Sequence, residues 1–380
     1  MKGERPTTAR IDLAALAHNY GEAVRLAGGR QVIAVVKADA YGHGAVPVAR
    51  RLVAAGCARL AVATVAEAAE LRAAAVRVPL LLLGGIHDAA EADDAVALEL
   101  TPVVQHAGHV PLLARAARER GQRLELELEI DTGMARMGVP PEDVAALAAA
   151  IAREPQLALQ GVYTHLACAD EPDLASTRRQ LALFAEVIAG LRARSLAPPL
   201  VHVANSAALV ADSELGTAIP PEVNAVRPGL LLYGVQPAPG RASAAQLLPV
   251  MSLCSRVANV RHVRRGDAVG YGATFRAKQR GRIATVPIGY ADGVPWSLGN
   301  RGHVLLRGRK LRIAGRVSMD LLTLDVGELP VEIGDPVLIF GRAAGERQPV
   351  EELAEAAGTI PYELLVRVGR RVPRVLEDGE

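Results

Sequence analysis

Eight short apolar runs, alternating with longer helical stretches over roughly the first 235 residues, restrict the fold of this chain more than any other feature. The runs lie at 31–37, 59–64, 79–84, 100–105, 123–130, 158–166, 200–204 and 226–233. Between them, stretches such as 45–55, 109–120 and 174–194 carry apolar residues at helical spacing. Strands joined by helices run parallel, because each helix returns the chain to the end where the last strand began. Eight such units close naturally into a (β/α)8 barrel. The competing architecture is an open doubly wound sheet, but no glycine-rich phosphate loop follows the first run.

Beyond about residue 240 the runs become short, β-branched and broken by Gly, Pro and Asp, as in "RIATVPIGYADG" and "DPVLIFG". That texture predicts a mostly-β domain with one helix at 349–360. We therefore divide the chain into a barrel at 12–238 and a β-rich domain at 239–380, with the Pro/Gly/Ser-rich stretch 237–246 as linker. Half of the residues are hydrophobic, enough for two cores, and the net charge is +2 with both signs mixed along the chain. Such a balance provides no footprint for nucleic acid or an anionic membrane. No apolar run approaches the length of a membrane span, and the N-terminus lacks a signal-peptide pattern. Cys57, Cys168 and Cys254 are odd in number and widely spaced, which argues against a disulfide framework or a zinc site and for a soluble cytoplasmic protein. No metal is expected.

Barrel enzymes work at the C-terminal ends of their strands. The first run ends in Lys37, one of only four lysines beside Lys2, Lys278 and Lys310, in a chain that otherwise takes its positive charge from arginine. Lysine has an ability arginine lacks: it loses its proton, and so forms Schiff bases or acts as a base. The fifth run leads into Asp131 and Arg136, the sixth into His165, the seventh into Asn205 and Ser206; Arg227 opens the eighth. Each has a plainer reading. Lys37 could close a strand at the surface, His165 could be a core histidine bonded to backbone, and Arg136 and Arg227 could be surface ion-pairing residues. Ser206 could simply cap a helix. The same helix start also suits a phosphate, which barrels commonly bind after their last two strands.

Nine segments in order, "AVVKADAYGHG", "EIDTGMARMG", "GVYTHLACADE", "HVANSAA", "NAVRPGLLLYG", "VGYGATF", "IGYADG", "GRVSMD" and "PYELLVRVGRRVPRV", together resemble the alanine racemases, from about residue 10 to 375. The resemblance implies a barrel that binds pyridoxal 5′-phosphate (PLP), a β domain that also takes in residues 1–11, and a homodimer with shared active sites. By that resemblance Lys37 would hold PLP covalently. Tyr41, Tyr362 and Ser206, with amides near Gly229 and Leu230, would bind its phosphate beside Asn205. Arg227 would face the pyridine nitrogen and Arg136 the phenolic oxygen. Tyr271 would be the opposite base, from the other subunit, supported by His165. Met319 and Asp320, also from the partner, would receive the substrate carboxylate, and Tyr290 would line the entrance.

Racemisation removes a proton from one face of Cα and delivers one to the other, which an amine and a phenol on opposite sides can do. An arginine keeps its proton, so a ring nitrogen facing it stays neutral. One position departs from the pattern. Many family members have a lysine two residues before the aspartate of "DTG", carried as a carbamate that orients the arginine of "GMAR"; here it is Glu129. Period two puts Glu125, Glu127, Glu129 and Asp131 on one strand face, pointing into the barrel. Glu129 is then expected either to support Arg136 or to pair with another interior arginine. The leading reading is alanine racemisation for cell-wall D-alanine. Broad racemisation of serine or lysine, a PLP-dependent decarboxylase and a non-catalytic PLP-binding protein are the competitors.

Overall fold

In the computed structural model, residues 5–238, 240, 241 and 245–378 are described. Of the linker expected at 237–246, Pro239 and residues 242–244 lie outside them. Contacts divide the chain into two units: Leu16–Ala40 with Ala45–Leu247, and the described residues up to Ala15 with Tyr41–Gly44 and those from Leu248 onward.

Strand β1 (Thr8–Asp12) and helix Leu13–Ala27 lead into the eight strands of the first unit. These are β2 (Gln31–Val35), β3 (Arg59–Val62), β4 (Leu80–Leu82), β5 (Leu100–Val104), β6 (Leu124–Ile130), β7 (Leu157–Thr164), β8 (Leu200–His202) and β9 (Ala225–Val226). They form a closed parallel barrel, in which β9 pairs back onto β2 through Gln31–Ala225 and Val32–Val226. The expected helices form at Ala45–Ala54, His109–Glu119 and Ala175–Ala193.

The final run differs from expectation. Only Ala225–Val226 is strand, and Leu230–Tyr233 is a buried 3-10 turn. Pro228 has no N–H for a ladder, and its carbonyl accepts instead from Val35 N at 3.0 Å. The inward set is also shorter than read: Glu127 and Glu129 are buried, but Glu125, near the strand's N-terminal end, is exposed.

The second unit is mostly β. Its larger sheet runs in the order 309–312, 303–306, 336–343, 251–256, β1 and 374–377. β1 pairs antiparallel with Met251–Arg256 and parallel with Arg374–Glu377. A three-stranded sheet joins 259–263, 281–286 and 322–325. The helix expected at 349–360 forms at Val350–Ala357, and a second, unanticipated helix follows at Pro361–Arg367.

Lys37 opens a turn, Lys37–Gly42, of uncommon hand. Ala38, Asp39, Ala40 and Tyr41 all have φ between 52 and 55°. A left-handed turn costs an L-residue about 1–2 kcal/mol, so outside bonds must hold it. The Glu67 carboxylate accepts from Ala38 N at 2.7 Å, and Asp39 Oδ1 accepts from Ala45 N at 2.6 Å. At the turn's end, Arg374 donates to the Gly42 carbonyl at 3.1 and 3.0 Å. Gly42 has φ +81°, and a Cβ there would lie 2.4 Å from the Leu365 carbonyl oxygen. Gly42→Ala is therefore expected to destabilise the protein by about 2–4 kcal/mol, from left-handed strain plus backbone overlap; urea denaturation of the two proteins measures it.

Candidate active site

The barrel interior is charged along one line. Glu127, on β6, is fully buried and accepts from Arg59 Nη1 at 3.0 Å and from His202 Nε2 at 2.7 Å. The other imidazole nitrogen of His202, Nδ1, lies 2.5 Å from Arg227 Nη1. Arginine is always the donor, so Nδ1 accepts and Nε2 carries the proton that goes to Glu127. His202 is thus neutral, and burial depresses its pKa to about 4, with Arg227 adding to the effect and Glu127 opposing it. Burial pushes the Glu127 carboxyl up, but His202 and Arg59 outweigh it and hold it below the usual range. Arg227 is 4% exposed, and its Nη2 donates to the Thr164 carbonyl at 2.9 Å. The Tyr163 ring lies against both neighbours, stacked on His202 at 4.8 Å and with the Arg227 guanidinium 4.3 Å from its centroid. Arg227 Nε is left without a hydrogen bond among the described residues.

Lys37 is half-buried just past the end of β2. Burial pushes its amine below the usual lysine value; Arg136 and Arg227 push the same way, and Glu67 and Glu129 oppose them. His165, just past β7, is held to about 3 by burial, then by Arg227, Arg136 and Lys37. Lys37, Arg136, His165 and Arg227 thus influence one another at the C-terminal ends of the strands.

After β8, Asn205 caps the short helix Ser206–Val210: its Oδ1 accepts from Ala208 N at 3.0 Å. Its Nδ2 donates to the Leu166 carbonyl at 3.3 Å. Both ends of the side chain are engaged, which anchors the start of the short helix that carries Ser206. Ser206 Oγ accepts from Gly229 N at 2.9 Å and Leu231 N at 3.2 Å. The Gly229 amide, expected to face a phosphate, is thus given to Ser206. A hydroxyl that accepts two bonds still has its own proton to donate. Leu230 N, between the two engaged amides, has no partner among the described residues.

Glu129 gives a second correction. Its Oε2 accepts from Gln105 Nε2 at 3.0 Å and from the Tyr163 hydroxyl at 3.1 Å, and neither Arg136 nor any other arginine bonds it among the described residues. Arg136 itself is exposed.

Within the second unit, the Gly42 approach to Leu365 brings Tyr41 and Tyr362 to 6.1 Å between ring centroids. Tyr290 N donates to the Ser318 carbonyl, joining the Tyr290 turn to the loop of Met319 and Asp320. Gly289 permits this: a Cβ there would lie 2.3 Å from the Ser318 oxygen. The Asp320 carboxylate pairs with Arg371 at 2.5 Å, so only its amide is suited to an anion. Tyr271 stands 73% exposed on its own turn.

Residues 11–237 match the model of the alanine racemase N-terminal domain, and residues 250–376 that of the C-terminal domain. The chain belongs to the alanine racemase family. It is 42% identical over 371 residues to the alanine racemase of Syntrophobacter fumaroxidans, covering 97% of each chain. It is 42% identical over 381 residues to that of Sorangium cellulosum, covering 97% of this chain and 98% of the other. Among solved structures, the alanine racemase of Streptomyces lavendulae aligns with a TM-score of 0.93 at 37% identity over 100% of this chain and 99% of that one. The biosynthetic alanine racemase of Pseudomonas aeruginosa aligns at 0.87 and 40% identity, over 98% and 100%.

Family members are PLP-dependent isomerases, and the residues present fit that cofactor. An aldehyde needs an amine that can give up its proton, and burial lowers the Lys37 pKa in that direction. A ring nitrogen needs a donor, and Arg227 Nε is open. A phosphate needs the Ser206 hydroxyl and the unengaged Leu230 amide. Sequence reasoning missed His202, Tyr163, Arg59, Gln105 and Glu67. Two of these carried a signal: Tyr163 shares the strand phase of His165, and Thr64-x-x-Glu67 is a capping-box pattern.

His202 and His109 titrate near 4 when folded and His165 near 3, each chiefly because burial disfavours the cation. Unfolded histidines titrate near about 6.5. The unfolded state therefore binds more protons below that value, so stability is fully present above pH ~6.5 and falls steadily toward pH ~4. Denaturation midpoints between pH 7 and 4 should show this decline, and His202→Gln should flatten its slope.

Proposed function

We propose that this chain interconverts L- and D-alanine with Lys37 and Tyr271 as its two bases. The observation that carries this reading is the pairing of a half-buried, depressed Lys37 with an Arg227 whose Nε has no partner among the described residues. When bound, PLP supplies the electron sink that acidifies the amino-acid Cα. Lys37 Nζ takes or returns the proton on one face. Tyr271 Oη, supplied by a second copy of the chain, does so on the other. Its high exposure suits a group that works outside its own subunit. Arg227 holds its own proton, which leaves a facing ring nitrogen neutral and restrains side reactions. Ser206, Leu230 N, Tyr41 and Tyr362 bind the phosphate, and Arg136 the phenolic oxygen. Met319 and Asp320 of the second copy, whose amides donate no hydrogen bond among the described residues, receive the substrate carboxylate, while Arg371 neutralises the Asp320 side chain. Tyr290 lines the entrance.

We place the enzyme in the cytoplasm as a homodimer supplying D-alanine for the cell wall. Support comes from the three free cysteines and the exposed Tyr271. Among the described residues no helix is long and apolar enough to cross a membrane.

Purified protein should be yellow, and borohydride should abolish the visible band and leave the pyridoxyl group on Lys37 in a peptide map. Recovery on Lys278 or Lys310 would remove Lys37 from its role. Lys37→Ala and Tyr271→Phe should each lose roughly 10²–10⁴-fold in racemisation, scored by chiral chromatography. Mixing the two inactive proteins under subunit exchange should restore about a quarter of the sites, because half the dimers are mixed and each has one site free of both defects. No recovery despite verified exchange would show that the two residues do not meet across subunits.

A further inference from the structure

Glu129 is 5% exposed, and its carboxylate is engaged from two sides. Gln105 Nε2 donates to it at 3.0 Å and also contacts the Leu83 carbonyl at 3.1 Å, which ties the carboxylate to the loop after β4. The Tyr163 hydroxyl donates to it at 3.1 Å, and this is the hydroxyl's one hydrogen bond among the described residues. Burial and the nearby carboxylates push the Tyr163 pKa well above the usual value, so the phenol keeps its proton and must donate it. The ring anchored in this way packs against two members of the buried line. His202 stacks on it, and the Arg227 guanidinium lies over it. A ring pinned only by packing could tilt or shift along its bonds; a hydrogen bond at its far tip prevents that. Among the described residues Arg136 donates no hydrogen bond to Glu129 and forms no ion pair with it, although it follows on the same strand exit.

We propose that Glu129 is a positioning residue for Arg227: through the Tyr163 hydroxyl it fixes the ring on which Arg227 and His202 rest, and it does not act through Arg136. This rests on the reading above that Arg227 faces the cofactor ring. What Glu129 supplies to Tyr163 is a hydrogen-bond acceptor, so an uncharged acceptor of the same shape should serve for that role. A charge needed by Arg136 would be lost equally in any uncharged variant.

The test uses full-length enzyme and two readouts besides activity: the PLP dissociation constant, from fluorescence titration of the apoenzyme, and the position of the visible band. Glu129→Met removes the acceptor and should weaken PLP binding roughly ten- to a hundredfold, with a displaced band. Glu129→Gln keeps an acceptor oxygen and should recover most of that loss. Tyr163→Phe in the Glu129→Met background should cause little further loss, because the two changes break one connection. Glu129→Met combined with Arg136→Ala should multiply the separate effects. Equal damage from Gln and Met, or coupling with Arg136 in place of Tyr163, overturns the proposal. Should Glu129→Met fail to fold, Tyr163→Phe and Glu129→Gln decide it: the first must displace the band and the second must not. If the wild-type chain binds PLP no better than Lys37→Ala, the underlying functional reading fails instead.

Discussion

A charged line inside a β-barrel is held by the ion pairs and hydrogen bonds between its members, because a buried charge without a partner is costly. Here Arg59, Glu127, His202 and Arg227 run in hydrogen-bonded sequence through the interior, and each is less than a tenth exposed. Removing one partner from a buried pair typically costs about 3–5 kcal/mol, because the other charge is left in low dielectric. Removing a single link therefore costs stability. The line's direction also carries chemical information. Arg59 and Glu127 fix which nitrogen of His202 bears the proton, His202 fixes which edge of Arg227 is occupied, and what remains open is Nε. A guanidinium that holds its proton and keeps one N–H edge open can donate a hydrogen bond there without giving up the proton.

The left-handed turn after Lys37 is the second constraint. Four consecutive non-glycine residues at positive φ are stable only where other groups determine them. Glu67 does this locally. One of its oxygens accepts from Ala38 N, and the other accepts from Ala63 N and Thr64 N. The carboxylate that caps the helix Val65–Ala73 is thus also the group that sets the backbone next to Lys37. Its charge opposes the depression of the Lys37 pKa by burial and by Arg136, so one residue acts on both the geometry and the protonation of the amine.

Much of this was legible before any coordinates. The alternation of eight apolar runs with helical stretches points to parallel strands, and eight such units close naturally into a barrel. Lys37 was visible through lysine scarcity, and Arg227 and His165 through their places at strand ends. The last strand was not: "VRPGLLLY" has strand composition, and only the lack of a Pro228 N–H, together with Ser206 taking the Gly229 and Leu231 amides, turns its second half into a 3-10 turn.

The sequence by itself determined the fold class, the order of the chemical residues and the strand faces they occupy, because period and spacing are local properties of the chain. The tertiary structure decided who meets whom. Period two places Glu127 and Glu129 on one face, but only the closing of the barrel delivers Arg59 and His202 to the first and Gln105 and Tyr163 to the second. Those partners come from other strands or, for Gln105, from just past the end of β5, and their approach depends on barrel stagger and side-chain reach. Neither quantity is encoded in any single stretch of the chain. That is why the sequence pointed Glu129 toward the nearby Arg136 while the folded barrel gives it to Tyr163.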